Sequence, residues 1–333
     1  MRSARGHPYD IDDNSIAIII INYNTCQELQ ACLGSIKLEE AGEVVVVDNN
    51  SSDGSVEMVR SKYPWVTLHA NKTNLGYGTA ANRAIAGCTA QYVVLLNSDT
   101  RLQPGALEAL SRYLDQHAGV AIVGPRLVNA DGTLQASCYP FTGTFRWLLD
   151  NDAWIRLIRY VPVLRNYCLR TWSHAYARGV PCVKGAALAI RREALDAVGG
   201  FDESFFMYFE EMDLCYRLTV AGWQIHFAPV TTVVHVGEAS TMSYRTDMTV
   251  QFAISNLLFC QRHYSRLRFM GVITIMGSIM LTRLIRDTVR LSFTRDRSKR
   301  TRIAEDIAAW QRVLLGHWGV QGTRLCASIP PRE

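Results

Sequence analysis

The chain has 333 residues, of which 48% are hydrophobic and 20% are charged, so it can bury a large core in one domain or in one domain with an appendage. Its net charge of +5 suits anionic small molecules or an anionic membrane surface, and is too small to indicate nucleic acid. The nine cysteines are odd in number and form no CxxC pair. This usage predicts free thiols in a reducing compartment and excludes a disulfide framework or a cysteine zinc site.

The first 14 residues carry no apolar core, and we predict that they form a flexible tail. The isoleucine-rich run at 16–21 is too short for the apolar region of a signal peptide. We therefore expect a cytoplasmic protein.

Strands and helices alternate along the first half of the chain. Continuous apolar runs predict buried strands in "SIAIIIINYN", "EVVVVD", "VTLHANK" and "QYVVLLNSDT", and "GVAIVGPRLVNADGTLQ" predicts a strand with a hairpin at "NADG". The segments between them have helical spacing or begin with Pro or Gly. This alternation over residues 15–130 predicts an α/β sheet with helices on both faces.

The second half is less regular. Residues 140–180 are rich in aromatic side chains and show no periodicity. A strand, a helix and a Gly-Gly turn are then predicted in "VPCVKGAALAIRREALDAVGG", and two further alternations of strand and loop in "GWQIHFAPVTTVVHVGEAS". From about residue 245 the chain is helical and basic. We divide it into a tail at 1–14, a catalytic domain at 15–245 and a helical region at 246–333.

Polar clusters follow three of the predicted strands: "NYN" at 22–24, "DNNSSD" at 48–53 and "NSD" at 97–99. In open α/β sheets, ligands bind outside the carboxyl ends of the strands. The coincidence of these clusters with strand ends predicts a binding site there. The first strand lacks the glycine fingerprint of dinucleotide-binding folds and no Walker loop is present, which argues against a dehydrogenase and a P-loop ATPase.

Asp48 and Asp53 flank the second cluster. Asp48 can accept a hydrogen bond from a ring N–H of a nucleotide base. An Asx-rich turn accounts for the same residues equally well, so both interpretations stay open.

Asp99 ends the cluster that follows the fourth strand. A carboxylate in that position suits Mg²⁺ or Mn²⁺, since both prefer oxygen ligands. Capping of the following helix does not require Asp99, because Ser98 or Thr100 can do the same. His235, at the end of a later apolar run, is either a second metal ligand or a structural histidine.

Three acids stand among aromatic residues in "FFMYFEEMDLCYRL", at 205–218. Read as the start of a helix, the segment puts Glu211 on the apolar face and places Asp213 four residues before Arg217, where an ion pair explains it. An acid on an apolar face should have a raised pKa, which suits proton transfer.

In this order and spacing, "NYN", "VVVVDNNSSDGS", "NLGYGTAANRAI", "LLNSDT", "KGAALAIRREALDAVGGFDESFFMYFEEMDLCYRL" and "VVHVGEAS" resemble the family-2 glycosyltransferases. The resemblance covers about residues 15–240 and is greatest to the bacterial rhamnosyltransferase-like branch. It implies the GT-A fold, an α/β architecture with a mostly parallel Rossmann-like sheet, here with a basic helical C-terminal extension. It also implies inverting transfer of a sugar from a nucleoside-diphosphate sugar, with Mg²⁺ or Mn²⁺ as cofactor.

The resemblance also assigns roles to residues. It implies donor nucleotide binding by a set of polar residues near the strand ends: Asn22, Asn24, Asp48, Asp53, Asn82, Asn97 and Ser98. It implies metal binding by Asp99 and His235; the family motif is usually Asp-x-Asp, and Asn97 stands here at its first position. It implies that Glu211 is the general base, although many relatives have Asp there.

Four further residues are candidates for contact with the acceptor or the sugar: Asp202, Glu210, Asp213 and Trp223. For Asp202, a turn aspartate that caps a helix is an equal alternative. Asp213 becomes the alternative base if Glu211 does not reach the acceptor. The aromatic side chain of Trp223 is a candidate for contact with the acceptor, and the alternative interpretation is that it packs in the core.

The C-terminal third has an apolar stretch of thirteen residues at 269–281, flanked by many arginines. A bilayer span needs about twenty apolar residues, so we predict attachment to an anionic membrane surface, with packing on the catalytic domain as the alternative. Few aromatic residues lie among these charges, which disfavours single-stranded nucleic acid. A homodimer through the basic helices is compatible with the same sequence.

The best prediction is therefore transfer of L-rhamnose from dTDP-rhamnose to a lipid-linked or polysaccharide acceptor of the bacterial envelope, at the inner face of the cell membrane. The alternatives are a UDP-sugar donor on the same fold, or a protein that binds a nucleotide sugar without catalysis. A sugar-1-phosphate nucleotidyltransferase ranks lower, because its glycine-rich loop after the first strand is missing.

Overall fold

The computed structural model describes residues 16–37, 42–142, 172–237 and 245–316. The predicted tail at 1–14 lies outside these ranges, as does most of the irregular segment at 140–180.

Most of the described strands form one sheet. In chain order they are β1 (Ile16–Asn22), β2 (Glu43–Asp48), β3 (Thr67–Ala70), β4 (Tyr92–Asn97), β5 (Thr100–Leu102), β6 (Val120–Val128), β7 (Leu134–Gln135), β9 (Arg178–Gly179), β11 (Ala187–Arg191) and β12 (Gln224–His235). The sheet order is β3-β2-β1-β4-β11-β6-β12-β5, with β7 on β6 and β9 on β12, while β8 (Cys138–Tyr139) and β10 (Cys182–Val183) form a separate pair.

The strands β1–β4 and the pair β6–β12 run in one direction, whereas β11 is antiparallel to both of its neighbours. The prediction of a mostly parallel α/β sheet is therefore confirmed. The predicted hairpin is also present, since β6 turns into β7 through Asn129 and Gly132, whose N–H donates to the Asn129 carbonyl.

Alternate residues of the apolar strands pack on opposite faces of the sheet, as the period of a strand requires. Ala17, Ile19 and Ile21 of β1 belong to one core, and Ile16, Ile18 and Ile20 belong to the other. Because both faces are covered by helices, the strand carries isoleucine at almost every position.

The helices are α1 (Cys26–Gly34), α2 (Ser55–Lys62), α3 (Tyr77–Gly87), α4 (Ala106–Gln116), α5 (Arg192–Ala197), α6 (Glu210–Val220), α7 (Arg245–His263), α8 (Arg266–Phe293) and α9 (Arg297–Gly316). The predicted helical C-terminal region is thus present. Its first helix does not stand apart, however, because Phe259 and Cys260 of α7 and Val272 of α8 belong to a core of the catalytic sheet.

One expected element differs. The segment 223–240 was expected to hold two alternations of strand and loop, but β12 is one strand of 12 residues with irregular pairing between Phe227 and Thr232. Pro229 lies in this interval and has no N–H to donate to a sheet. The strand continues past Pro229, because its pairing with β6 resumes at Thr232 and extends to Val234.

Candidate active site

The loops that follow β1 and β2 are joined by their own polar side chains. Asn22 pairs with Asp48 in the parallel register, and its Nδ2 donates to Asp48 Oδ2 at 2.8 Å and to Ser51 Oγ at 3.2 Å. Asp48 Oδ1 accepts the Ser51 N–H at 2.8 Å, and the Asn22 Oδ1 accepts the Thr25 hydroxyl at 2.7 Å. Every one of these bonds joins groups of the protein to each other.

Asp48 is bonded to its own protein in this structure. The residue is 1% exposed and each of its carboxylate oxygens accepts one protein hydrogen bond, while the expected contact with a nucleotide base stays a prediction. Asp48 fixes the loop that follows its strand. Asn22 is buried with it and shares that role.

Asn24 and Asp53 lie at the outer part of the same loops. Asn24 has a left-handed backbone with φ of 52°, and its Oδ1 accepts the Ser52 N–H at 2.8 Å. Asp53 Oδ2 accepts the N–H of Cys26, the first residue of α1, at 2.7 Å. Asp53 thus satisfies an N–H at the start of a helix that is distant in sequence. Asn24 is half-buried and Asp53 is exposed, so both remain reachable by a ligand.

Asn82 does not join this group of side chains. Its Nδ2 donates to the Phe201 carbonyl at 2.9 Å, and its Oδ1 accepts the Phe201 N–H at 2.9 Å. These bonds occupy both ends of the amide. Asn82 thus supports the loop before α6, and its expected contact with the donor nucleotide stays a prediction.

Asn97, Ser98 and Asp99 form the turn between β4 and β5. The competing interpretation, a cap for the next helix, is wrong, because β5 separates this turn from α4 and the N-cap of α4 is Gly105. Ser98 Oγ lies 2.7 Å from Thr25 Oγ1, which connects this turn to the loop after β1.

Asp99 and His235 face each other across the pair formed by β5 and β12. Asp99 Oδ1 lies 3.3 Å from His235 Nε2, and Asp99 Oδ2 accepts the Gly237 N–H at 2.9 Å. Burial raises the pKa of Asp99, but the hydrogen bonds and charge of His235 and the Gly237 N–H outweigh it, so that the pKa lies below its ordinary value. The carboxylate therefore stays ionised at neutral pH.

Gln135, which the sequence did not single out, orients the imidazole of His235. The Gln135 Nε2 donates to Asn129 Oδ1 at 2.8 Å and to the His235 carbonyl at 3.2 Å, so its Oε1 faces His235 Nδ1, at 2.6 Å. Nδ1 must then carry a proton, and Nε2 is the nitrogen directed at Asp99. A second interaction of this kind fixes the tautomer of metal-binding histidines.

Lys184 was also missed. Its Nζ donates to the same Gln135 Oε1 at 3.0 Å, and its charge acts on Glu211. Lys184 lies in the turn between β10 and β11, and the sequence showed only a continuous strand there. The neighbouring Ala186 carbonyl accepts the Asn97 N–H at 2.9 Å, so this turn adjoins the Asn97–Asp99 turn.

Glu210 and Glu211 begin α6, as the spacing of the apolar residues predicted. One oxygen of each, Oε2, is buried and has no hydrogen-bond partner among the described residues. Gly185 packs on Glu211, because a Cβ built on this glycine lies 3.6 Å from the Glu211 Cγ. Tyr77 is the third ionisable group here, and burial, followed by the charges of the two glutamates, raises its pKa.

The pKa values of the two acids are shifted upward. Burial is the largest effect on Glu211 and raises its pKa, while backbone N–H groups, including that of Gly185, and the charge of Lys184 oppose the shift. Burial and the charge of Glu211 raise the pKa of Glu210 well above its ordinary value. The predicted direction of the shift of Glu211 is confirmed.

The remaining acids have structural partners. Asp213 is 1% exposed, and it accepts hydrogen bonds from Arg217 Nε and His263 Nε2, each at 2.7 Å. The predicted ion pair with Arg217 is confirmed, while these bonds leave Asp213 no access to an acceptor as the alternative base. Asp202 accepts from the Ser204 N–H at 3.0 Å and forms an ion pair with Arg262, so it is a turn aspartate with a second partner.

Trp223 is remote from this site. It precedes the first residue of β12, whereas His235 is the last residue of that 12-residue strand. At about 3.3 Å per residue, the 12 steps between them span at most about 40 Å, and the two residues lie at opposite ends of the strand. Trp223 is half-buried against the core, which fits the alternative of core packing.

Residues 13–255 match the family described as "Glycosyltransferase like family 2". The chain belongs to this family. It is 29% identical over 312 residues to the N-acetylglucosaminyl-diphospho-decaprenol L-rhamnosyltransferase of Mycobacterium tuberculosis (strain ATCC 25618 / H37Rv), covering 87% of this chain and 98% of that protein. It is 23% identical over 302 residues to the low-salt glycan biosynthesis hexosyltransferase Agl10 of Haloferax volcanii, covering 84% and 90% of the two chains.

Solved structures share the fold. The mannosyltransferase PcManGT from Pyrobaculum calidifontis, in complex with GDP-Man and Mn²⁺, superimposes with a TM-score of 0.52 at 17% identity, over 93% of this chain and 91% of that one. GalNAc-T7 with UDP, GalNAc and Mn²⁺ gives a TM-score of 0.51 at 13% identity, over 75% and 51%. The predicted GT-A fold is confirmed, and the protein is a family-2 glycosyltransferase.

Proposed function

We propose that the protein is an inverting rhamnosyltransferase that transfers L-rhamnose from dTDP-rhamnose to a lipid-linked acceptor in the synthesis of a bacterial envelope glycan. The observation that carries the catalytic part is the buried Oε2 of Glu211, which has no partner among the described residues. Glu211 packs on Gly185, in the turn that adjoins the Asn97–Asp99 turn, and Asp99 faces His235. The choice of sugar and acceptor rests on the mycobacterial relative that transfers L-rhamnose to a lipid-linked sugar.

Glu211 acts as the general base. Its carboxylate accepts the proton of the acceptor hydroxyl while that oxygen forms a bond to the anomeric carbon and the bond to the nucleoside diphosphate breaks. A raised pKa suits this role, since it makes the carboxylate a stronger base. One displacement inverts the anomeric configuration and requires no enzymic nucleophile.

Asp99 and His235 fit a divalent cation. A carboxylate oxygen and an imidazole nitrogen face each other at 3.3 Å, and Gln135 holds the imidazole with Nε2 toward Asp99. The described residues contain no cluster of three metal-binding side chains, so a diphosphate and water would complete the coordination of Mg²⁺ or Mn²⁺. When bound, such an ion neutralises negative charge on the departing diphosphate.

Asn24, Asp53, Asn97 and Ser98 remain candidates for the donor nucleotide. They lie on the loops that follow β1, β2 and β4, which meet at one edge of the sheet because these strands are parallel. Asn97 is half-buried and Ser98 is buried beside Thr25. Asn22 and Asp48, the last residues of β1 and β2, hold these loops through their hydrogen bonds.

The experiment combines donor binding and turnover. The purified protein is titrated by calorimetry with dTDP-rhamnose, UDP-glucose, UDP-galactose and UDP-N-acetylglucosamine, each with Mg²⁺, Mn²⁺ or EDTA, and transfer to an N-acetylglucosaminyl-diphospho-prenol is followed. We expect metal-dependent binding of dTDP-rhamnose and formation of the rhamnosylated lipid. Preference for a UDP-sugar would retain the family and exclude the sugar, whereas binding without any turnover would support the non-catalytic alternative.

We further propose that α8 attaches the protein to an anionic membrane surface at the inner face of the cell membrane. This helix of 28 residues is, among the described residues, the one that is long and apolar enough to cross a membrane by length and composition, and 17% of its most apolar stretch is buried. Leu281, Ile285, Val289 and Phe293 recur every four residues and are exposed, so they line one face.

The polar groups of α8 favour attachment at the interface. The hydroxyls of Thr274, Ser278 and Thr282 each donate to a carbonyl four residues earlier, so these three hydroxyls are paired within the helix. Arg286 and Arg290 are exposed and share the carboxylate of Asp287, so the group keeps a positive charge that can face anionic headgroups. These arginines disfavour a span across the bilayer.

A flotation assay tests the attachment. We expect the protein to float with phosphatidylglycerol-containing liposomes, and Ile285→Ser with Val289→Ser to float at least several-fold less. Exposed Leu315→Ser, on α9, is the control for loss of one apolar side chain. Equal flotation of all three proteins would contradict the role of α8.

A further inference from the structure

Two residues with an unfavourable backbone conformation precede the proposed base. Tyr208 and Phe209 have φ angles of 65° and 69°, and Phe209 is the N-cap of α6. Side chains other than glycine rarely adopt this left-handed region, and two in succession persist only where the surroundings hold them. The direction in which Glu210 and Glu211 leave this turn therefore depends on what contacts it.

The start of α3 holds one side of the turn. The Tyr77 N–H donates to the Phe206 carbonyl at 2.9 Å. Gly76 is required for this approach, because a Cβ on it would lie 2.2 Å from the same carbonyl oxygen. This contact precedes the turn and leaves the Met207 carbonyl to another partner.

That partner is α7. Ser255 Oγ donates to the Met207 carbonyl at 2.8 Å, and Ser255 is itself 1% exposed and held by Gln251 Nε2 at 3.0 Å. The ring of Phe252 packs edge-on against Tyr208 and Phe209, with centroid distances of 5.6 and 5.1 Å. Helix α7 thus contacts each of the three residues before Glu210.

The end of α7 contacts one residue before the Tyr208–Phe209 turn and one residue after it. Arg262 forms an ion pair with Asp202, eight residues before Glu210, and His263 Nε2 donates to Asp213 Oδ1 at 2.7 Å, two residues after Glu211. The sequence match to the family ends at residue 255, so Arg262 and His263 lie beyond it. One pair joins α7 to the loop before α6, and the other joins α7 to the first turn of α6.

We propose that α7 is a positioning element for catalysis: Ser255 and His263 hold the Tyr208–Phe209 turn and the first turn of α6, and thereby keep the Glu211 carboxylate in line with the acceptor hydroxyl. This inference rests on the proposed function. Neither residue touches the substrate; each acts through the backbone or the helix that carries Glu211.

The test uses Ser255→Ala and His263→Phe in the full chain, with His263→Gln to restore an N–H donor. Asn256→Ala is the matched control, since Asn256 is equally buried on α7 but donates to Thr142 Oγ1, at 3.0 Å. We measure kcat for rhamnosyl transfer, the donor Kd by calorimetry and the unfolding midpoint. A displaced base should lower kcat about tenfold in each of the first two variants, with the donor Kd within about twofold of the parent value. His263→Gln should recover most of the loss.

Double variants separate positioning from simple destabilisation. In a Glu211→Gln background, Ser255→Ala should lower the residual turnover no further, because the group it positions has lost its function. Asn256→Ala should lower the unfolding midpoint and leave kcat unchanged.

The proposal is overturned if kcat survives in both single variants, if the losses add in the Glu211→Gln background, or if Asn256→Ala loses kcat equally. If His263→Phe does not fold, Ser255→Ala decides alone. Full turnover of Glu211→Gln would instead overturn the assignment of the base, so the two failures are distinguishable.

Discussion

The loops after β1 and β2 and the start of α6 are both rich in polar side chains, yet they differ in how those groups are satisfied. In the loops, Asn22, Asp48 and Ser51 bond to each other, and the result is a rigid frame. At the start of α6, Glu210 and Glu211 each keep one buried oxygen without a partner among the described residues. A satisfied polar cluster indicates architecture, whereas an unsatisfied buried acid requires another explanation, and catalysis supplies one.

The sharpest test of this contrast is Glu211→Gln. We expect kcat to fall by about 10³-fold, within the range of a lost general base, while the donor Kd stays within about twofold. Glu193→Gln, an exposed acid on α5, is the control and should be neutral. Unchanged turnover of the Glu211 variant would remove the functional side of the comparison.

The frame itself can be broken with Asn22→Ala. This change leaves Asp48 Oδ2 without its partner and removes one of the two partners of the Thr25 hydroxyl, so we expect the free energy of unfolding to fall by about 1–3 kcal/mol. Donor binding should weaken as the loops lose order, while kcat at saturating donor changes little. Denaturant unfolding and calorimetry measure the two effects, and Gln30→Ala, exposed on α1, is the control. A large loss of kcat with normal donor affinity would contradict an architectural role.

Lys184→Met tests the electrostatics around the base. Lys184, Glu210 and Tyr77 are the charged or ionisable groups near Glu211, and the positive charge of Lys184 lowers the Glu211 pKa. Its removal should raise that pKa further. Because the base works deprotonated, the acidic limb of the kcat/KM profile should move to higher pH, and Lys184→Arg should restore it. A profile that does not move would show that Lys184 acts on His235 alone, through Gln135.

The smallest expected effect is the stability of Glu210→Gln. The pKa of Glu210 is raised in the folded state, so the folded protein holds its proton more tightly than the unfolded chain does. Stability from this group is complete below the unfolded pKa and is lost as pH rises toward the folded pKa, by at most about 1.4 kcal/mol per pH unit. Glutamine has no such loss. The unfolding midpoint of the variant should therefore match that of the parent at pH 4 and exceed it by a few degrees at pH 8.

A constant difference across that pH range would show that Glu210 ionises normally when buried. The comparison of the two regions would then rest on Glu211 alone.

The sequence determined the sheet, because short β-branched runs such as "IAIIII" and "VVVV" favour strands covered on both faces, and parallel strands bring their carboxyl ends to one edge. It also singled out Asp99, His235 and Glu211, since each interrupts a pattern that its neighbours follow. These are local properties of spacing and residue type. The ion pair of Asp213 with Arg217 belongs to the same class, because four residues separate partners on one helix.

Only the tertiary structure decided which polar groups are already satisfied. Asp48, Asn82 and Asp202 have residue types that suit a ligand, and their partners in the structure lie 2 to 121 positions away in the chain. The roles of Gln135, Lys184 and α7 do not follow from any periodic pattern, because they act through contacts between distant segments. Hydrogen-bond satisfaction is a property of proximity in space, and residue type and spacing do not specify it.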